Sequence, residues 1–224
     1  MKAALLLDVH VVIASPGKHS LVSAVFSGIH VDLNDPAAIG LLVQAALATP
    51  FHGVIATDDA SVELASQIAK KLGLPGNTPG AAKISRRKDL ARTCLSASSV
   101  SVPEFRIVQF ASPLEDQVVG LHYPVVVKPV GLSASRGVIR ANNQTDCFDA
   151  IARIQKILDA DETIPSEEKV SVLIERFIDG PEVAIEGVLH QGQFQSLAIF
   201  DKPDPMQGPY FEETYYVTPS RLTQ

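Results

Sequence analysis

The densest chemistry in this sequence lies in Tyr123-Pro124-Val125-Val126-Val127-Lys128-Pro129-Val130-Gly131-Leu132-Ser133-Ala134-Ser135-Arg136-Gly137-Val138. Val125 to Val127 read as a buried β-strand, and Lys128 sits at its end. A charge there is costly unless an anion meets it, and phosphate is the natural candidate. The residues that follow are small and flexible. Between Gly131 and Gly137, the hydroxyls of Ser133 and Ser135 add to backbone N–H groups that can fold over an anion. The spacing is neither GxxxxGK[ST], since no lysine follows Gly137, nor GxGxxG. Taken alone, the segment also fits a plainer reading, in which Lys128 snorkels to the surface and the glycines make a hairpin turn.

A second constellation follows in Val172-Leu173-Ile174-Glu175-Arg176-Phe177-Ile178-Asp179-Gly180-Pro181-Glu182-Val183-Ala184-Ile185-Glu186-Gly187. A hydrophobic strand ends in the acid Glu175, and an exposed backbone stretch leads through Gly180 to a strand bearing Glu182 and Glu186. These donors and acceptors suit adenine and ribose. Glu182 and Glu186 share a strand face because their spacing is even. Lys202 reads as a further phosphate contact or as a solvated strand end. Arg136 and Arg221 read as anion contacts or as exposed surface arginines.

The elements that must position these residues begin with alternating strand and helix signals, the pattern of a parallel sheet covered by helices. Residues 9–14 and 53–57 read as strands. Asp35-Pro36 supplies an N-cap and first-turn proline for a helix with Ile39, Leu42, Val43, Ala46 and Leu47 on one face. Val62, Ala65, Ile68, Ala69 and Leu72 form another helical face, stopped by Gly73 and Pro75. One helix is expected from Ala81 to Leu95, with a polar hinge at 96–101. Thr145 is the expected cap of a helix buried through Cys147, Ile151, Ile154 and Leu158. Residues 159–169 read as a charged loop and 170–177 as a strand. Glu182–Leu189 and Gln193–Phe200 read as a hairpin turned at Gly192.

Composition bounds the function classes. The 224 residues carry 19 bases and 25 acids, a net charge of −6. A nucleic-acid binder needs a dense basic field, and here the bases cluster only at Lys83, Arg86, Arg87 and Lys88. Hydrophobic content of 46% and charged content of 20% describe a globular chain of one large or two small domains. The two cysteines, Cys94 and Cys147, form no CxxC and no metal spacing, which points to a reducing, cytoplasmic compartment. No apolar run reaches the roughly 18 residues of a membrane span. The apolar start at Ala3–Leu7 superficially resembles a signal peptide, but Asp8 and His10 interrupt it.

In their order, these segments resemble the ATP-grasp superfamily, in particular its carboxylate–amine ligases of the amino-acid ligase and carnosine-synthase-like branch. Residues 124–129 resemble the family's phosphate-binding strand, 131–137 its flexible small loop, 175–178 its adenine hinge, and Glu182 its ribose-contacting glutamate. Arg87-Lys88-Asp89-Leu90-Ala91-Arg92 resembles the helix whose lysine, here Lys88, also reaches the phosphates. Pro103 matches the proline before the next strand, and 211–220 resembles the approach to the substrate pocket. The resemblance implies an α/β parallel-sheet domain at 1–82 preceding an α+β ATP-grasp domain, its central part at 83–179 and the start of its C-terminal part at 180–224. It implies ATP and Mg²⁺ as cofactors, with a small carboxylate and an amine as substrates joined through an acylphosphate. The implied nucleotide residues are Lys88, Lys128, Gly131, Ser133, Ser135, Gly137, Glu175, Phe177, Ile178, Glu182 and Lys202; no metal ligand or catalytic residue is assigned.

Two departures are expected from the family. Its Mg²⁺ ligands fall after the position matching Gln224, and its first strand unit precedes the position matching Met1, where Ala3–Asp8 resembles a helix tail. A shortened chain is therefore expected, with open sheet edges that favour self-association. Whether it is an enzyme by itself stays open. Beside the ligase reading stand a non-catalytic ATP-binding module and a plain α/β interaction domain.

Overall fold

The computed structural model describes residues 2–16, 28–204, 207–211 and 214–222. The chain divides into two compact bodies, Met1–Ala91 and Arg92–Gln224. In the first, α1 (Lys2–Leu6) precedes two parallel strands, β1 (Ile13–Ser15) and β2 (Gly28–His30). α2 (Ala38–Ala48) and α3 (Val62–Leu72) follow. Val31, Ala38, Leu42 and Ile68 form the buried centre, with Ala14, Ile29 and Val54 packed around it. α3 ends as its sequence predicts, with Gly73 in the left-handed region at φ +67°.

Three expectations for this body are corrected. Residues 53–57 form no strand, and the strand expected over 9–14 is confined to Ile13–Ser15. α2 starts at Ala38 because Asp35 closes a turn first: its carboxylate accepts from the Ala37 N–H at 2.8 Å and its carbonyl from the Ala38 N–H at 2.9 Å. The single helix expected over 81–95 is two, α4 (Pro79–Arg86) and α5 (Lys88–Ala97). Between them Arg87 is extended, at φ −87° and ψ 108°. Its guanidinium grips Asp89 through two bonds, of 2.9 and 2.7 Å. Burial alone would raise the Asp89 carboxyl, but Arg87 outweighs it and holds the group below its ordinary range.

The second body is built on a four-stranded antiparallel sheet, ordered β3 (Phe105–Gln109), β6 (Ser171–Arg176), β4 (Val125–Pro129), β5 (Ile139–Ala141). The short helix α6 (Leu114–Val118) follows β3, and α7 (Gln144–Asp159) follows β5. Strand periodicity divides the side chains between two faces. Val108, Val172, Ile174, Val125, Val127, Ile139 and Ala141 turn to one face, where they pack with Cys147, Ile151, Ile154 and Leu158 of α7. The helical face expected for α7 is therefore the one it buries. Its cap is Asn143 rather than Thr145: the Asn143 side chain accepts from the Asp146 N–H at 2.9 Å, and Asp146 accepts in return from the Asn142 N–H at 3.0 Å.

The last element is the hairpin of β7 (Glu182–His190) and β8 (Gln193–Lys202). Gln191 and Gly192 turn it at φ +49° and +77°, which suits a two-residue turn with both centres left-handed. Among the described residues, no helix is long and apolar enough to cross a membrane. Ile154→Ala should cost roughly 2–5 kcal/mol as a cavity beneath the sheet, and Asn143→Ala about 1 kcal/mol as a lost cap. Urea unfolding of the two variants checks both values.

Candidate functional site

On the face of the sheet opposite α7, register brings the chemistry together. Val126 pairs with Glu175 on β6 and with Arg140 on β5, and Lys128 lies two residues beyond Val126. Directly opposed residues and even-spaced residues share a face. Glu175, Lys128 and Arg140 therefore stand on one side of the sheet.

Glu175 is 3% exposed, at the end of the buried run Ser171–Ile174. One carboxylate oxygen accepts from Lys128 Nζ, and the other accepts from Arg92 Nε on α5. Burial alone would raise the Glu175 carboxyl, but the Lys128 ammonium and then Arg92 outweigh it and hold the group below its ordinary value of 4.5. Two cations face one anion, so the cluster carries a net positive charge. The side chains of Lys128 and Arg92 remain 22% and 30% exposed. A partly exposed cluster with surplus positive charge is chemically matched to phosphate oxygens.

The loop after β4 is more ordered than a flexible linker. Ser133 O accepts from the Arg136 N–H at 3.2 Å and Ser135 O from the Val138 N–H at 3.1 Å, so these two N–H groups are used within the loop. Ala134 and Ser135 are left-handed, at φ +53° and +54°. At Gly137, φ +77°, an added Cβ would lie 3.3 Å from the Pro129 ring, so glycine is required where the loop closes on β4. Gly131 lies just beyond Pro129, the last residue of β4. Arg136 turns from the loop to Asp161 at 2.7 Å. Bonds from Thr163 and Arg136 hold the Asp161 carboxyl at about 2.

The segment 175–178, expected as an adenine hinge, has partners within the chain. The Glu175 carboxylate serves as a counter-ion, and the Phe177 N–H donates to Pro124 O at 3.0 Å. Ile178 is exposed. Glu182 and Lys202 are directly paired across β7 and β8 and form an ion pair. Lys202 also lies 5.7 Å from the Tyr216 ring centroid. Arg221 meets a carboxylate within the chain, that of Asp201, at 2.8 Å. Ser220 and Arg221 together hold Asp201 at about 2. Lys88 opens α5 and belongs to the first body. Within the segment 211–220, Glu212 and Glu213 lie outside the described residues.

Arg92 and Arg140 are the members of this face that sequence reasoning missed. Arg92 was visible only as the residue one helical turn after Lys88, and its partner Glu175 is 83 residues away.

A family model described as the ATP-grasp N-terminal domain matches residues 1–76, and one described as the ATP-grasp domain matches residues 121–224. This chain is a member of the ATP-grasp superfamily. The L-amino acid ligase of Bacillus licheniformis superposes on all of the chain with a TM-score of 0.86 at 27% identity, the chain covering 54% of that structure. An ADP complex of N5-carboxyaminoimidazole ribonucleotide synthetase shares the ATP-grasp fold over 100% of the chain and 54% of its own length, with a TM-score of 0.74 at 15% identity. An uncharacterized protein of Sinorhizobium fredii is 26% identical over 153 residues, 68% of this chain and 31% of that protein. The chain thus spans about half the length of these solved ATP-grasp structures. Its parallel-stranded N-terminal body and α+β ATP-grasp body are the fold class the sequence indicates.

Because folding depresses the Glu175 pKa, its ionised form stabilises the native state fully above the ordinary value of 4.5, and that contribution fades as pH falls from there toward the folded value. Glu175→Gln should cost roughly 3 kcal/mol at pH 7, since it leaves two cations facing each other without their anion. The stability gap between wild type and variant should narrow below pH 4.5. Urea titrations from pH 7 to pH 3 measure that gap, and a constant gap would contradict the assignment.

Proposed function

We propose that this chain carries the nucleotide site of an ATP-dependent carboxylate–amine ligase whose carboxylate substrate is an amino acid or a similar small acid. The observation that carries this reading is the Lys128–Glu175–Arg92 cluster, with its surplus positive charge at the mouth of the small loop. The likeness to an L-amino acid ligase at 27% identity supports the substrate class.

In this reading Lys128 neutralises phosphate charge at the end of β4, and Glu175 and Arg92 keep its ammonium in place. The loop carrying Gly131, Ser133, Ser135 and Gly137 covers the phosphates and excludes water from the reacting carboxylate. The Phe177 carbonyl and the Ile178 backbone face adenine, and Glu182 with its partner Lys202 lies toward the ribose and phosphates. The assignment of Lys88 to the phosphates rests on the resemblance alone. ATP supplies the phosphoryl group that turns the carboxylate into an acylphosphate; the amine then displaces phosphate to form the amide. What the protein contributes is positioning and electrostatic stabilisation. Among the described residues, no group of three or more acids, histidines or cysteines is placed to hold Mg²⁺.

Calorimetric titration of the chain with ATP should show binding, and Lys128→Ala should weaken it by about tenfold or more, the loss of one charge-assisted phosphate contact. Thermal melts of both proteins separate lost binding from lost folding. Absence of ATP binding by the folded wild type overturns the reading. Phosphate release that requires both an amino acid and an amine supports the ligase, whereas binding without such release supports a non-catalytic nucleotide module.

A further inference from the structure

Arg140 on the site face is engaged through both its backbone and its side chain, and the mechanism above does not use it. From β5 its backbone N–H donates to Pro209 O at 2.8 Å. Its Nη1 donates to Gln207 O at 2.8 Å, and its Nε donates to Asn142 Oδ1 at 3.0 Å. The guanidinium carbon lies 4.2 Å from the centroid of the Phe177 ring. Phe177 also stacks on Phe211, with ring centroids 6.4 Å apart and 25° between the planes.

Residues 207–211 therefore form a strap across β5. Tyr210 bridges Ile139, and its ring lies 5.1 Å from the Arg153 guanidinium. The strap passes so close to β5 that a Cβ on Gly208 would fall 2.8 Å from Arg140 Cβ, at a backbone φ of +84°. Phe177 is gripped between this assembly and the carbonyl of Pro124. The backbone after β6 has no ladder partner at 177–180. Its position is thus set by what holds the Phe177 ring and N–H.

We propose that Arg140 is a positioning residue for base recognition: by bracing Phe177 and the strap, it fixes the Phe177–Ile178 backbone in the geometry that reads adenine. The inference rests on the nucleotide reading and deepens it. A preformed hinge spares the ordering cost that base binding otherwise carries. Only the base-dependent part of the affinity passes through Arg140. The phosphate-dependent part passes through Lys128, which Glu175 and Arg92 hold independently.

The test compares ATP with inorganic tripolyphosphate, a probe that has the phosphates and no base, by calorimetry on the whole chain. Arg140→Met should weaken ATP by about tenfold while changing tripolyphosphate less than about twofold. Arg140→Lys, which keeps a cation over Phe177 but loses the planar fork, should fall between. Gly208→Ala keeps the Arg140 guanidinium in the chain but forces the strap and Arg140 apart, so it should reproduce the ATP-selective loss. If Arg140→Met or Gly208→Ala folds and weakens both ligands equally, Arg140 acts through charge or general stability, and the proposal fails. If both variants keep wild-type preference for ATP over tripolyphosphate, the proposal fails and the nucleotide site stands. If the wild type shows no such preference, the nucleotide reading falls and this inference falls with it.

Discussion

A carboxylate buried at the centre of a sheet is the constraint from which the ATP-grasp body is best understood. β6 lies between β3 and β4, and Glu175 near its end is almost fully removed from water. An isolated charge there would be prohibitively costly, so the fold has to deliver cations to it. Lys128 comes from the neighbouring strand and Arg92 from a helix far away in sequence. Because two cations answer one anion, satisfying Glu175 leaves charge to spare. The same interaction that makes the buried acid tolerable leaves a partly exposed cationic cluster on the sheet, chemically suited to an anion.

Register makes this possible. Val126 opposes Glu175, and Lys128 therefore falls on the same face one pair further along. Slipping β4 by one residue would turn Lys128 toward α7 and put Val127 or Pro129 in its place. The apolar packing of Val125 and Val127 against Ile151, Ile154 and Leu158 resists that slip. Core packing on one face thus fixes charge placement on the other. Gly137 extends the same logic to the loop, because its lack of a side chain lets the backbone close onto Pro129 and Ile154.

What was legible in the sequence follows from the range of the interactions involved. The continuous apolar run of β4, the buried face of α7, the glycine end of α3 and the hairpin at Gly192 are local patterns, and the sequence shows them directly. The break at Arg87 was hidden because it depends on a bond between residues two apart, which apolar periodicity does not register. Asn143 was passed over for Thr145 because both types cap helices and only the entry angle of the chain chooses between them. The expected strand at 53–57 has apolar residues but no ladder. Glu175 reads in the sequence as part of an adenine hinge; its ion pairs join it to Lys128 and Arg92, 47 and 83 residues away, and nothing in the sequence couples residues so far apart. Arg140 escaped for the same reason, since its partners lie at 177 and 207–209.

The Lys128–Glu175–Arg92 cluster and the Phe177 assembly rest on separate supports within this one body. The cluster is held by ion pairs on the sheet, where partial burial strengthens each contact. Phe177 is held by stacking on Phe211 and by the guanidinium of Arg140 on the edge strand. The sheet interior is constrained by packing on its other face and tolerates little change. The strap is joined to the edge strand β5 while the ion pairs stand on β4 and β6, so a change in the strap is expected to leave Glu175 and its cations in place.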